Sequence, residues 1–135
     1  MFPAYWQSSE PASTSPPRGA APVKAEGMIR LVPQDRLRFG RDRREPVDRR
    51  PVVTVRRGMP GGRVLALPCT TQPPRRAAEF FALTPERVLW RRPDNPASWA
   101  WHRAEQVSEE DLGWRIGTLT QAARLELARW LRERW

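Results

Sequence analysis

DRRPVVTVRRGMPGGRVLALPCTTQ, residues 48–72, holds two short apolar runs, VVTV and VLAL, around a turn rich in glycine and proline. β-branched and aliphatic residues bounded by turn formers read as two strands of a hairpin. Centring the turn on Pro60 opposes Val53 to Leu67, Val55 to Leu65, Arg57 to Arg63 and Arg50 to Thr70. Side chains alternate between the two faces of a strand. Val53, Val55, Leu65, Leu67 and Cys69 therefore form one apolar face that belongs in a core. The other face is mixed: Arg50, Val52, Thr54 and Arg56 on one strand, Val64, Ala66, Pro68 and Thr70 on the other. Arg50 and Thr70 emerge side by side at the open end. A guanidinium beside a hydroxyl suits a phosphate oxygen; an arginine stacked on a strand end, beside a threonine that caps a turn, is the plain alternative.

Outward from the hairpin, more short strands are expected at Met28 to Val32, EFFAL (79–83), SWAWHRAEQV (98–107) and RIGTL (115–119). An arginine-rich loop, RFGRDRREPVDRR (38–50), joins the first strand to the hairpin. Strands and turns at this density predict a mainly β chain forming a small SH3-like barrel, residues 28–135. The C-terminal stretch is helical, with Ala123, Leu127, Trp130 and Leu131 on one face and Thr118 with Gln121 as a capping box. That face covers the barrel; a dimer contact through the remaining apolar side chains, Leu125 and Ala128, is the alternative. Residues 1–27, rich in Pro, Ala and Ser, read as a disordered leader, because they hold too little apolar surface to offset ordering.

The formal net charge is +9, and every basic residue except Lys24 is an arginine. Arg18 and Lys24 balance Glu10 and Glu26, so the excess lies in residues 28–135. Such a balance favours a nucleic-acid or acidic protein partner, although a GC-rich genome also enriches arginine, proline and alanine. One cysteine, Cys69, excludes an internal disulfide and a multi-thiolate metal site. With one histidine and no cluster at metal-ligand spacing, no metal or other cofactor is expected. No apolar run approaches the ~20 residues that span a bilayer, and the first residues do not read as a secretory signal. A cytoplasmic protein without membrane contact is the expectation.

At the hairpin the chain resembles the PemK/MazF toxin endoribonucleases of bacterial toxin–antitoxin pairs. The matching motifs are Arg50-Pro51-Val52-Val53 opening a strand, Pro68-Cys69-Thr70 ending the next, and Gly117-Thr118-Leu119 before a terminal helix. Gly27-Met28-Ile29 is a weaker match to the start of the family's first strand, and Glu45 stands five residues before Arg50. The resemblance covers roughly residues 27–135. It implies a CcdB/PemK-type barrel that cuts single-stranded RNA without a metal, the RNA's own 2′-hydroxyl attacking the adjacent phosphorus. In that scheme Arg50 binds the scissile phosphate and Thr70 hydrogen-bonds it. Glu45 orients Arg50 or accepts a proton, as against being a solvated loop carboxylate. Arg49, Arg56, Thr71, Gln72, Arg75 and Arg76 are the candidate RNA contacts, as against ordinary solvated side chains. The family's partners are an antitoxin with an acidic tail and a second copy of the toxin, forming a homodimer with the RNA groove across both subunits. Met28 replaces the family's aspartate, arginines and a proline replace its first-loop residues, and RRGMPGG is a short loop; these differences bear on which RNA is cut.

His102 alternates with Trp99 and Trp101, so an exposed strand histidine is expected there rather than a general base. The two tryptophans stack bases or pack in a core or dimer contact. Two other readings stay open: a CcdB-like gyrase poison, and an RNA- or DNA-binding barrel that does not cut. A gyrase poison has no need of the Arg50–Thr70 pair, and a binder leaves RNA intact while showing a steep salt dependence.

Overall fold

The computed structural model describes residues 22–40, 48–91 and 97–135. Within them the strands are β1 (Met28–Pro33), β2 (Arg49–Met59), β3 (Arg63–Thr70), β4 (Phe80–Ala82), β5 (Val88–Trp90), β6 (Trp99–Trp101), β7 (Glu105–Ser108) and β8 (Arg115–Leu119), followed by helix α1 (Gln121–Arg134). They form one curled antiparallel sheet, ordered β4-β6-β3-β2-β1-β8-β5, with β7 also paired to β3. The fold is mainly β, a half-barrel closed by the C-terminal helix, as the strand pattern predicts.

The hairpin pairing holds at its open end and slips toward its turn. Val52 faces Pro68, Val53 faces Leu67 and Thr54 faces Ala66, as expected. Beyond Thr54 the register shifts twice, so Leu65 faces Arg56 instead of Val55, and Arg63 faces Met59 instead of Arg57. The extra residues are bulges on β2. Gly58, at a φ of 74°, sits inside the second one, in a conformation a side chain disfavours.

The segment 98–107 is two strands rather than one. β6 pairs with Cys69 and Thr70 of β3, whereas β7 pairs with Arg63 to Ala66. The chain skips past Leu67 and Pro68 in between, and the residues between β6 and β7 take up the slack. Pro68 thus falls where β3 has no neighbour on that side, a position suited to a residue with no N–H to donate.

Both faces of the hairpin are buried. The apolar face joins a large core that includes Ile29, Val53, Val55, Leu65, Leu67, Cys69, Phe81 and Leu119, closed by Ala123, Leu127, Leu131 and Trp135. The face expected to be mixed is also covered, by a smaller core of Val32, Leu37, Val52, Val64, Ala66, Val107 and Leu112. Ala128 is buried rather than left for a second copy, while Leu125 is exposed. The helix cap is Thr120, whose hydroxyl accepts from the Ala123 amide at 3.2 Å, and not Thr118. Thr118 is still in the sheet, opposite Met28 and Leu89.

The folded body begins before residue 28. Ala25 is fully buried, its amide donates to the Arg124 carbonyl, and the Glu26 and Gly27 amides donate to Val55 and Thr54 carbonyls. The leader expected over residues 1–27 therefore does not take in these three residues, and residues 1–21 lie outside those described. Strand β5 is not apparent from the sequence, because three residues between charged neighbours give no periodicity.

Candidate functional site: a buried arginine at the hairpin's open end

Arg50 follows Val52 in alternation along β2, so it points to the smaller core, at its margin. It is only 5 % exposed. A buried guanidinium needs partners for its donors, and the fold supplies them from three directions. Nε donates to the Gln34 side-chain oxygen at 2.6 Å, and Nη1 donates to the Cys69 carbonyl at 2.9 Å. The Phe39 ring lies against the cation, its centroid 5.0 Å from Cζ, an arrangement that favours positive charge.

The chain around Phe39 is shaped for this contact. Gln34 turns back to donate its amide to the Phe39 carbonyl at 2.6 Å, so one side chain bridges the loop and the arginine. Gly40 follows at a φ of 82°, and a Cβ there would come within 2.5 Å of Nη2 of Arg50. Glycine is required at this point on both counts: backbone conformation and space.

Thr70 is buried beside this cluster. It follows Cys69, whose carbonyl accepts from Arg50, and pairs with Trp99 of β6. Its hydroxyl accepts from the Gln72 amide at 3.1 Å, and its own carbonyl accepts from Ser98. The hydroxyl therefore caps a turn and keeps a proton to donate. Cys69, between them in space through its carbonyl, is inert: burial pushes its thiol up to about 12 from 9.0, with the Val53 backbone and Arg50 opposing weakly.

The other candidates distribute unevenly. Arg49 is exposed at the same end of β2, with its Nη1 lying over Gly113. Thr71, Gln72, Arg75 and Arg76 are exposed on the segment leaving β3, and Arg76 makes a 3.4 Å surface pair with Glu79. Arg56 is not brought to the site: six residues along the strand place it about 20 Å away, toward the turn. Glu45 lies outside the described residues.

Trp101 packs on Phe39, with ring centroids 5.1 Å apart, so it backs the site rather than offering a free platform. His102 is half-buried between Trp101 and Trp130, in a shallow cleft of ≈ 470 Å³ with Ala78, Glu79, Glu133 and Arg134. Burial holds its pKa below the usual 6.5, Glu79 pulls it back up, and Arg103 and Arg134 push it down. Among the described residues no three of His, Cys, Asp and Glu gather as a metal-ligand set.

With that geometry in view, one solved structure similar to this chain is a mycobacterial endoribonuclease bound to its cognate antitoxin. The TM-score is 0.52 at 18 % identity, covering 84 % of this chain and 92 % of that one. The likeness is one of fold. No protein-family model and no curated protein sequence matches. No helix among the described residues is long and apolar enough to cross a membrane.

One residue that the sequence reading did not single out belongs beside the arginine loop. Glu105 is a buried carboxylate two residues from Val107, and alternation with that valine was the one hint that it points inward.

Proposed function

We propose that this chain is a toxin endoribonuclease of the PemK/MazF kind, cutting single-stranded RNA at the Arg50–Thr70 end of the hairpin. The observation that carries the reading is the buried, pre-positioned Arg50 guanidinium, bonded to the carbonyl just before the buried Thr70. The similar fold of an endoribonuclease bound to an antitoxin supports it. Charge developing on phosphate oxygens is best stabilised by donors already oriented and shielded from water. A phosphate reaches the guanidinium by exchanging for one of its neutral acceptors, and a charge-assisted bond outweighs a bond to a carbonyl.

The RNA's 2′-hydroxyl supplies the nucleophile, so the protein's tasks are to hold the phosphate in line and to stabilise its charge. Arginine does not titrate near neutral pH, so Arg50 stabilises charge and the protons pass through other groups, for which Glu45, five residues before it, is the candidate. Arg49, Thr71, Gln72, Arg75 and Arg76 flank the reacting phosphate. The basic surface takes the acidic tail of an antitoxin, and the chain works as a homodimer in the cytoplasm.

The burial of Arg50 also favours a second reading, a barrel of the same fold in which the arginine is structural and nothing is cut. Incubating a long single-stranded RNA with the protein in EDTA separates the two. Discrete fragments that fall about 10²–10³-fold in rate with Arg50→Ala, and fall also with Thr70→Ala, support the nuclease. Intact RNA with salt-sensitive binding rejects it.

A further inference from the structure

Glu105 stands opposite Ala66 in the β3–β7 pairing, on the sheet face that carries the smaller core and Arg50. It is only 5 % exposed. A carboxylate in that position needs strong donors, and it takes them from the backbone of the loop after β1. One oxygen accepts from the Arg38 amide at 2.8 Å and the other from the Phe39 amide at 3.0 Å. Two successive N–H groups on one carboxylate fix both the position and the direction of that dipeptide.

What the dipeptide carries is the wall of the arginine site. The Phe39 ring lies on the Arg50 guanidinium, and the Phe39 carbonyl accepts from the Gln34 amide whose oxygen holds Arg50 Nε. Gly40, next along, passes within a Cβ's reach of Nη2. Through this one anchor Glu105 holds the backbone that carries the loop's contacts to Arg50. The geometry points to Glu105 as a positioning residue: it sets the Arg50 guanidinium by pinning the Arg38–Phe39 backbone from β7. Its effect on turnover rests on the nuclease reading; its effect on the arginine does not.

Glu105→Gln tests this, because the side-chain amide keeps one acceptor and turns a donor toward the other backbone N–H. The readouts are the Arg50 Nε–H resonance with its solvent exchange, single-turnover RNA cleavage, and binding of an RNA whose cut site carries a 2′-deoxy sugar. We expect the resonance to shift as the Phe39 ring moves, its exchange to accelerate, and cleavage to slow by roughly 10- to 100-fold. Binding of the uncleavable RNA stays within about twofold, since an effect confined to turnover marks loss of transition-state alignment. Glu105→Asp, which keeps the carboxylate but shortens its reach to the two amides, gives the same Arg50 displacement and decides the matter if Glu105→Gln does not fold. An unchanged Arg50 signal overturns the proposal, whereas a displaced Arg50 with wild-type cleavage upholds it and removes Arg50 from the cutting step. If the wild type cuts no RNA, the nuclease reading falls, and the Arg50 resonance alone then decides for or against Glu105.

Discussion

The two faces of the sheet are built on different principles. The face under α1 is lined by aliphatic and aromatic side chains with one neutral thiol, and the helix seals it with Leu127 and Leu131, both fully buried. The opposite face holds a smaller core with a cation, Arg50, and an anion, Glu105, buried at its margin. The first face gains stability from apolar area removed from water. The second gives up some of that gain, because buried charges return their desolvation cost only when every partner is in place. One layer of β-strands therefore separates a region that holds the fold from a region that holds an oriented charge.

This contrast makes distinct demands on the two faces. Leu127→Ala should have the largest effect on stability, about 2–5 kcal/mol by urea denaturation, from lost transfer energy and the cavity left. Cleavage per folded molecule should not change; a loss of cleavage there would mean the faces are not separable. Gly40→Ala should cost less, about 1–3 kcal/mol from the positive φ, yet it should abolish most RNA cleavage by displacing the guanidinium. Wild-type cleavage by that variant would show that the position of Arg50 is not critical. Thr120→Ala, removing the helix cap, should lower stability by about 1 kcal/mol with cleavage intact. The smallest effect concerns Cys69, which should resist a thiol reagent at pH 8.5 until the protein unfolds. Its thiol keeps its proton up to about 12, whereas the unfolded thiol loses it near 9.0. The folded state then binds more protons, so this group's contribution to stability falls as pH rises between those values. A Cys69→Ala variant should show a flatter decline over that window.

Much of the fold was legible because the hairpin alternates strictly: Val53, Val55, Leu65, Leu67 and Cys69 all face the large core as their spacing requires. The second core was not, since Val52, Val64 and Ala66 share their face with Thr54 and two arginines, and a mixed face reads as solvated. The position of Arg50 beside the end of β3 followed from register alone. Its burial and partners did not, because Gln34 and Phe39 come from the loop after β1, the Cys69 carbonyl comes from β3, and Glu105 holds that loop from β7. Local sequence contains no record of such convergence. The bulges on β2 were equally hidden, since a turn longer than two residues leaves the register near it unfixed.

The place of β1 in the sheet has a consequence for synthesis. β1 lies between β2 and β8, and Ile29 pairs with both Val53 and Gly117. During translation β2 follows within seconds, but β8 arrives only after most of the described chain has been made, on the order of ten seconds later at ordinary elongation rates. Until then one edge of β1 is an open template for strand pairing with other chains. Gln34, Arg50 and Cys69 have already emerged by that point, so the nascent chain carries the arginine cluster's parts before its large core closes. A chain stopped ahead of β8 would retain those parts on an unsealed sheet, prone to aggregate rather than to act.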